Sequence, residues 1–258
     1  MEGDVTQKSA IQWNTGISYS YGQTKLTKLS NDIYQAAYVE LYQKSGVGTS
    51  EYYFRVEEGG KIGQFYGYKY AGTDGEGNML IYTNEGEKVP TSQADAKYKR
   101  YIGNGAPKHF LSWNNTLRYK NFDLSMNFKG VFGFDIFNMR KYNMGLTGCG
   151  SDNVLRSAYL DDSDVKTGGG VISSYFLEKG DYFKLENATL GYNIRPESND
   201  VVDNLRIYFS AKNVFTLTGY DGNDPSIVTS TGITPGVDTS SAYPQATQLT
   251  LGVTLRFK

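Results

Sequence analysis

Apolar and polar residues alternate along six long segments of the chain, and a period of two residues predicts β-strands with one apolar and one polar face. The alternation is clearest in segment 248–258, where Leu249, Leu251 and Val253 oppose Gln248 and Thr250. We therefore predict six strands, in the ranges 10–21, 110–119, 121–134, 180–194, 205–215 and 248–258.

Two features of these segments favour strands that cross a membrane. Their apolar faces extend over roughly 9 to 11 residues, which a tilted strand needs to cross a bilayer, whereas strands of soluble proteins are usually shorter. The connections also alternate, being long at 22–109, 135–181 and 216–247 and short at 120–121 and 195–204. Short turns at one end and long external loops at the other are typical of outer-membrane barrels.

The segment 180–194 changes character along its length. Ala188, Leu190 and Tyr192 share an apolar face, and a strict period of two places Lys184 and Glu186 on the same face. We therefore expect this strand to leave the bilayer at Lys184 and Glu186.

Aromatic residues occur at or near the ends of the predicted strands, as the interfacial girdles of membrane barrels require. Packing of the same rings in the core of a soluble β-sandwich is the alternative. The residues concerned are Trp13, Tyr19, Tyr21, Tyr119, Tyr182, Tyr192 and Phe257.

Composition supports an all-β fold and argues against several functions. The 22 Tyr, 13 Phe and 30 Gly residues favour strands and tight turns, and 26 basic against 27 acidic residues provide no basic field for nucleic acid. No apolar run is long enough for a membrane-spanning helix. The single cysteine, Cys149, and the single histidine, His109, lack neighbours at ligand spacing, so we expect loop or strand-end residues and assign them no role.

Five ordered motifs resemble the C-terminal part of the SusC/RagA family of TonB-linked outer-membrane transporters, and the match covers nearly the whole chain from about Ile11. The motifs are "KIGQFYGYKYAG", "YIGNGAPKHFLSWNNTLRYKNFDLSMNFKGVFGFDIFN", "FLEKGDYFKLENATLGYNI", "LRIYFSAKNVFTLTGYDGNDPSI" and "YPQATQLTLGVTLRFK".

The resemblance implies an antiparallel transmembrane β-barrel of about 22 strands, of which this chain supplies about six, with long extracellular loops. It implies import of oligosaccharides or peptides across the outer membrane of a Gram-negative bacterium, energised through TonB, with a SusD-like surface lipoprotein as partner. Residues 1–258 show no signal peptide, TonB box or plug domain, so we expect a C-terminal barrel segment that needs the remainder of the barrel and plug. We expect neither enzymatic activity nor a cofactor. A secreted, soluble β-sandwich that binds glycans is the alternative.

Three groups of residues are candidate sites. Tyr66, Tyr68 and Tyr70 lie in a long loop where aromatic faces could stack on sugar rings, although packing of that loop would use the same residues. The polar faces of the strands would line the wet lumen, at Asn114, Asn127, Lys129, Asn187 and Arg206.

The third group is a calcium-like loop. Asp74, Glu76, Asn78 and Glu85 fall at positions 1, 3, 5 and 12 of an EF-hand spacing, but Met79 stands where that loop requires Gly, so a Gly-rich hairpin tip is the alternative.

Overall fold

The described part of the computed structural model comprises residues 2–4, 11–31, 33, 35–43, 51–148, 153–159, 165–168, 170–196, 201–227, 232–239, 243 and 245–258. Its strands, in chain order, are β1 (Glu2–Asp4), β2 (Ile11–Tyr21), β3 (Tyr38–Gln43), β4 (Tyr52–Glu57), β5 (Gln64–Gly67), β6 (Tyr70–Thr73), β7 (Met79–Tyr82), β8 (Lys88–Pro90), β9 (Arg100–Asn104), β10 (His109–Tyr119), β11 (Phe122–Phe132), β12 (Asp135–Asn138), β13 (Leu177–Lys179), β14 (Tyr182–Ile194), β15 (Val202–Thr218), β16 (Val237–Asp238) and β17 (Gln248–Phe257). One short helix, α1 (Met139–Met144), and single 3-10 turns at Thr91–Gln93, Ala96–Tyr98, Arg156–Tyr159, Ser174–Phe176 and Pro225–Ile227 complete the described elements.

Seven antiparallel strands form the main sheet, in the order β1-β2-β10-β11-β14-β15-β17. Six of them coincide with the six predicted segments to within a few residues. The seventh, β1, was not predicted, because three residues are too few for a periodic pattern. The all-β, antiparallel fold class is confirmed.

The apolar face of the main sheet is open to its surroundings. Leu124, Leu190, Phe209 and Leu251 lie side by side in register across four strands, and Leu251 is 76% exposed. A sandwich would cover these side chains with a second sheet, since burial of its apolar face is what stabilises such a layer. The alternative of a soluble β-sandwich is therefore not the fold observed in the described residues.

One polar residue on this apolar face, Asn115, is buried beneath aromatic side chains. Trp13 Nε1 and Thr15 Oγ1 donate hydrogen bonds to Asn115 Oδ1, at 3.1 and 2.9 Å. Trp113 Nε1 in turn donates to Thr15 Oγ1 at 2.9 Å. Both tryptophans of the chain thus satisfy and cover polar groups on the apolar face, in addition to supplying apolar surface.

The prediction that Lys184 and Glu186 share the face of Ala188 is wrong. The pairing of β14 with β11 and with β15 shifts between Leu185 and Asn187, which is a β-bulge at Glu186. Because a shift of one residue exchanges the two faces of a strand, Lys184 lies opposite Lys129 on the polar face and Leu185 opposite Phe128 on the apolar face. The apolar face therefore continues to Phe183 instead of ending at Glu186.

The long connections form structure of their own at one end of the main sheet. They contain a four-stranded sheet (β3-β4-β5-β9) and two three-stranded sheets (β6-β7-β8 and β13-β12-β16). The largest cluster of buried residues also lies in these connections, and its members are Tyr53, Phe54, Phe65, Met79, Phe137, Tyr142, Leu146, Val165, Ile172, Phe176 and Val237. The predicted external loops are thus a folded cap with its own core.

A second buried cluster joins this cap to the main sheet. It consists of Val131, Phe134, Ile136, Tyr182 and Tyr220. Tyr182 was predicted to belong to an exposed aromatic girdle, and this is wrong because its side chain packs inside the cluster. At the opposite end, by contrast, Tyr119 and Tyr192 are exposed, as an interfacial ring requires.

No helix within the described ranges is long and apolar enough to cross a membrane. The role of Cys149 falls outside the described residues. His109 is the first residue of β10, and its Nδ1 shares a hydrogen bond of 2.8 Å with Tyr19 Oη.

Candidate functional surfaces of the sheet and cap

The polar face of the main sheet brings the five predicted lumen-facing residues onto one surface. Asn114, Asn127 and Asn187 lie next to each other in register on β10, β11 and β14. Lys129 lies on the same face and forms an ion pair with Glu186 at 3.7 Å. That this face lines a water-filled lumen stays a prediction.

Arg206, the fifth of these residues, makes a bidentate ion pair across an intervening strand. Its Nη2 and Nε contact the two carboxylate oxygens of Asp123 at 2.5 and 3.1 Å, and Asn193 Nδ2 donates to the same carboxylate at 2.6 Å. Between β11 and β15 stands Gly191 of β14, where a Cβ would lie 2.6 Å from Arg206 Nε and from Asp123 Oδ1. The missing side chain is what allows the guanidinium to reach its partner.

Lys184 ties the last long connection to the polar face. Its side chain is only 4% exposed, and its Nζ contacts Asp224 Oδ2 at 3.2 Å, Ser226 Oγ at 3.2 Å and Gln245 Oε1 at 3.0 Å. A buried ammonium requires such partners because desolvation is costly. Sequence reasoning missed this contact, since the bulge that turns Lys184 onto this face has no signal in the alternation.

The three candidate tyrosines do not form one ligand-binding surface. Tyr68 is buried, and desolvation together with the nearby charge of Glu51 raises the pKa of its phenol to about 12. Tyr66 packs against Tyr101, with 5.5 Å between ring centroids, whereas Tyr70 packs against Tyr175 at 5.0 Å. Packing within the cap thus accounts for much of their surface, and a role in substrate binding stays a prediction.

An arginine between two aromatic rings organises the surface around Tyr66. The guanidinium carbon of Arg55 lies 3.7 Å from the ring centroid of Tyr38 and 3.9 Å from that of Tyr66. Arg55 Nη1 donates to Tyr66 Oη at 2.9 Å, and its Nη2 pairs with Glu40 at 3.0 Å. Cation-π contact and ion pairing together fix three strands of the cap sheet.

The calcium-like stretch is a hairpin tip. The side chain of Asp74 accepts hydrogen bonds from the backbone N–H groups of Glu76 and Asn78 and from Asn78 Nδ2, at 2.8 to 2.9 Å. These hydrogen bonds lower the pKa of the Asp74 carboxyl, and the bond from the Asn78 side chain contributes most to the shift. Glu85 lies in the next hairpin connection, between β7 and β8. Among the described residues no group of three or more His, Cys, Asp or Glu side chains could hold a metal ion.

Comparison with models of known protein families gives no match. Similar sequences are found among curated receptors. TonB-dependent receptor P3 of Formosa agariphila is 28% identical over 95% of this chain and 27% of its own length. TonB-dependent receptor SusC of Bacteroides thetaiotaomicron is 23% identical over all of this chain and 26% of its own length. The chain thus spans about a quarter of the length of the relatives it matches.

Solved structures show the same relationship at the level of the fold. The structure of the RagAB peptide transporter superposes with a TM-score of 0.76 at 23% identity, covering 98% of this chain and 28% of the other. The RagAB peptide importer in its open-open state gives a TM-score of 0.74, also at 23% identity and 98% coverage, over 27% of its chain. These relatives are named as receptors, transporters or importers, and their names describe no enzyme. The resemblance inferred from the sequence motifs is thereby confirmed: in sequence and in fold, this chain is similar to a segment of a TonB-dependent transporter of the SusC/RagA type.

Proposed function

We propose that this chain is part of an outer-membrane transporter of a Gram-negative bacterium, which imports oligosaccharides or peptides. Residues 1–258 would form the C-terminal segment of its β-barrel. The observation that carries the proposal is the exposed apolar face of the main sheet, backed by a polar face on the same strands. Lipid on one side and water on the other is the environment that such a sheet requires.

The energy source for import and the partner protein are inferred from the similarity to TonB-dependent receptors. The relatives are named TonB-dependent receptors, and we propose that TonB energises import through parts of the transporter outside this chain. A SusD-like lipoprotein would close over the folded cap, because the cap is the end of the sheet that would face the cell exterior. The strands themselves would act as wall, with no catalytic group.

The test is uptake by cells whose full-length gene is deleted. We expect the protein to be recovered in the outer-membrane fraction, and the deletion to lower uptake of a fluorescent maltoheptaose or of a fluorescent peptide mixture at least tenfold. Deletion of tonB should give the same loss, and the intact gene on a plasmid should restore uptake in tonB-positive cells. Recovery of the protein in the soluble fraction, or unchanged uptake of both probes, would contradict the proposal.

A further inference from the structure

A cavity of the cap, of about 660 Å³, lies beside α1. It is separate from the polar face of the main sheet and from the surface around Tyr66. Its volume lies within the range of pockets that hold small ligands. Its charged and aromatic lining consists of Arg140, Lys141, Arg156, Tyr175, Glu178 and Asp221.

One ion pair of this lining is already complete. Glu178 Oε1 accepts from Asn138 Nδ2 at 3.2 Å and lies 3.5 Å from Lys141 Nζ, while its Oε2 accepts from the backbone N–H of Asp221 at 3.0 Å. Lys141 Nζ also lies 4.5 Å from the ring centroid of Tyr175. The charges of Glu178 and Lys141 therefore neutralise each other, and their contacts link Asn138, Tyr175 and Asp221 in the wall of the cavity.

The two arginines carry the remaining positive charge. Arg140 Nη1 donates to a neutral acceptor, Asn223 Oδ1, at 2.8 Å. No acceptor contacts the Arg156 side chain within the described ranges, and Arg156 is one of the lining residues. Among the described lining residues, the one further carboxylate is that of Asp221, and no hydrogen bond to its side-chain oxygens is found in the described part of the chain. Two arginines in the lining of one cavity supply charge-assisted hydrogen-bond donors of the kind that bind a carboxylate.

We propose that this cavity binds a carboxylate of the imported ligand through Arg140 and Arg156. The proposal rests on the proposed function, because it takes the ligand to be the transported molecule. It adds the chemical class of that ligand, a carboxylate. A carboxylate could come from the C-terminus of a short peptide or from an acidic sugar, and both present the same pair of oxygens.

The experiment is calorimetric titration of the purified full-length protein in detergent with four probes. Trialanine is compared with trialanine amide, and trigalacturonate with maltotriose, so that each pair differs in charge. We expect at least one acidic probe to bind tenfold or more tightly than its neutral counterpart, and the pair that shows this identifies the source of the carboxylate. Equal binding within both pairs, or no binding of either acidic probe, overturns the proposal.

Variants localise the effect. Arg140→Gln and Arg156→Gln should each weaken binding of the acidic probe about tenfold, because each removes a charge-assisted hydrogen bond. Lys97→Gln, which removes an exposed cation outside the cavity, should leave binding unchanged. If each arginine variant binds the acidic probe as tightly as the unchanged protein does, the site is elsewhere.

The outcome is independent of the transport test. Preference for an acidic probe without TonB-dependent uptake would contradict the proposed function and leave the site standing. TonB-dependent uptake without any preference for a carboxylate would contradict only the site.

Discussion

At the scale of single residues, small side chains at defined positions permit long ones to cross the sheet. Gly191 leaves open the path by which Arg206 reaches Asp123 two strands away. Gly252 leaves room for the ring of Tyr208 on the neighbouring strand, because a Cβ at this position would lie 2.3 Å from a ring atom of Tyr208. These glycines are needed for cross-strand contact on the polar face, and their φ angles are not in the left-handed region.

We predict that Gly191→Ala separates Arg206 from Asp123 while the strands stay paired. The new methyl group would meet the ends of two flexible side chains, which can move, and no backbone atom is among its nearest contacts. The expected cost is about 1 kcal/mol, the worth of a partly exposed, well-oriented ion pair. Urea unfolding of the full-length protein, reconstituted in lipid, measures it.

A double-mutant cycle provides the control for this prediction. In an Arg206→Gln background the ion pair is already absent, so Gly191→Ala should cost markedly less there. An equal cost in both backgrounds would mean that the methyl group acts on strand packing and not on the ion pair.

At the scale of elements, β17 shows the clearest division into two faces. Leu251 lies in register with Phe209 on the apolar face, whereas Thr250 lies in register with Ser210 on the polar face. The two positions are adjacent in sequence and differ only in the side of the sheet to which they point. They therefore form a matched pair for testing which side meets lipid.

We predict that Leu251→Arg prevents stable insertion of the assembled barrel and that Thr250→Arg is tolerated. An arginine on the lipid face costs about 2–4 kcal/mol near the bilayer midplane, and one in a wet lumen costs little. The measurement is the amount of heat-modifiable protein in the outer membrane of cells expressing each variant. Comparable amounts for the two variants would refute the assignment of faces.

The strands were predictable from the sequence because each has one apolar and one polar face, which imposes a period of two on residues such as Leu249 to Leu255. The bulge at Glu186 was not predictable, since one inserted residue shifts the phase without changing composition. The small sheets of the cap were also missed. Their strands are 2 to 6 residues long, and pairs such as Phe137 with Val237 are set by contacts distant in sequence.

The candidate sites, like the strands, were predictable from the sequence only in part. The residues of the polar face follow from alternation alone, so the sequence is sufficient to assign Asn114 and Asn127 to the same face. The cavity beside α1 could not be assigned, because Arg140, Arg156 and Asp221 come from three separate parts of the chain. Their meeting depends on the packing of the cap.

At the scale of the whole molecule, the main sheet is open at both sides. β1 and β17 each pair with one neighbour in the described structure, so each presents an unpaired edge. Unpaired backbone groups are costly in hydrocarbon, and closed membrane barrels have about eight or more strands, whereas the main sheet has seven. The stable unit in a membrane is therefore expected to include strands from beyond this segment.

We predict that residues 1–258, refolded alone in detergent, give no heat-modifiable band on electrophoresis, whereas the full-length protein does. The resistance of closed barrels to unfolding requires that every strand be paired on both sides. In the isolated sheet β1 and β17 are paired on one side only. A heat-modifiable band from the isolated chain would contradict the prediction, and its size by gel filtration would show whether copies had paired with each other.

The connectivity of the main sheet also sets the order in which its strands can associate. β10 and β11 are joined by two residues, and β14 and β15 by a short connection, so these hairpins close small loops. β2 pairs with β10 across the segment of the cap between Tyr21 and His109. The entropic cost of closing this longer loop exceeds that of closing the two hairpins. The main sheet is thus expected to assemble from local hairpins, and β2 is expected to join only after the part of the cap between β2 and β10 has folded.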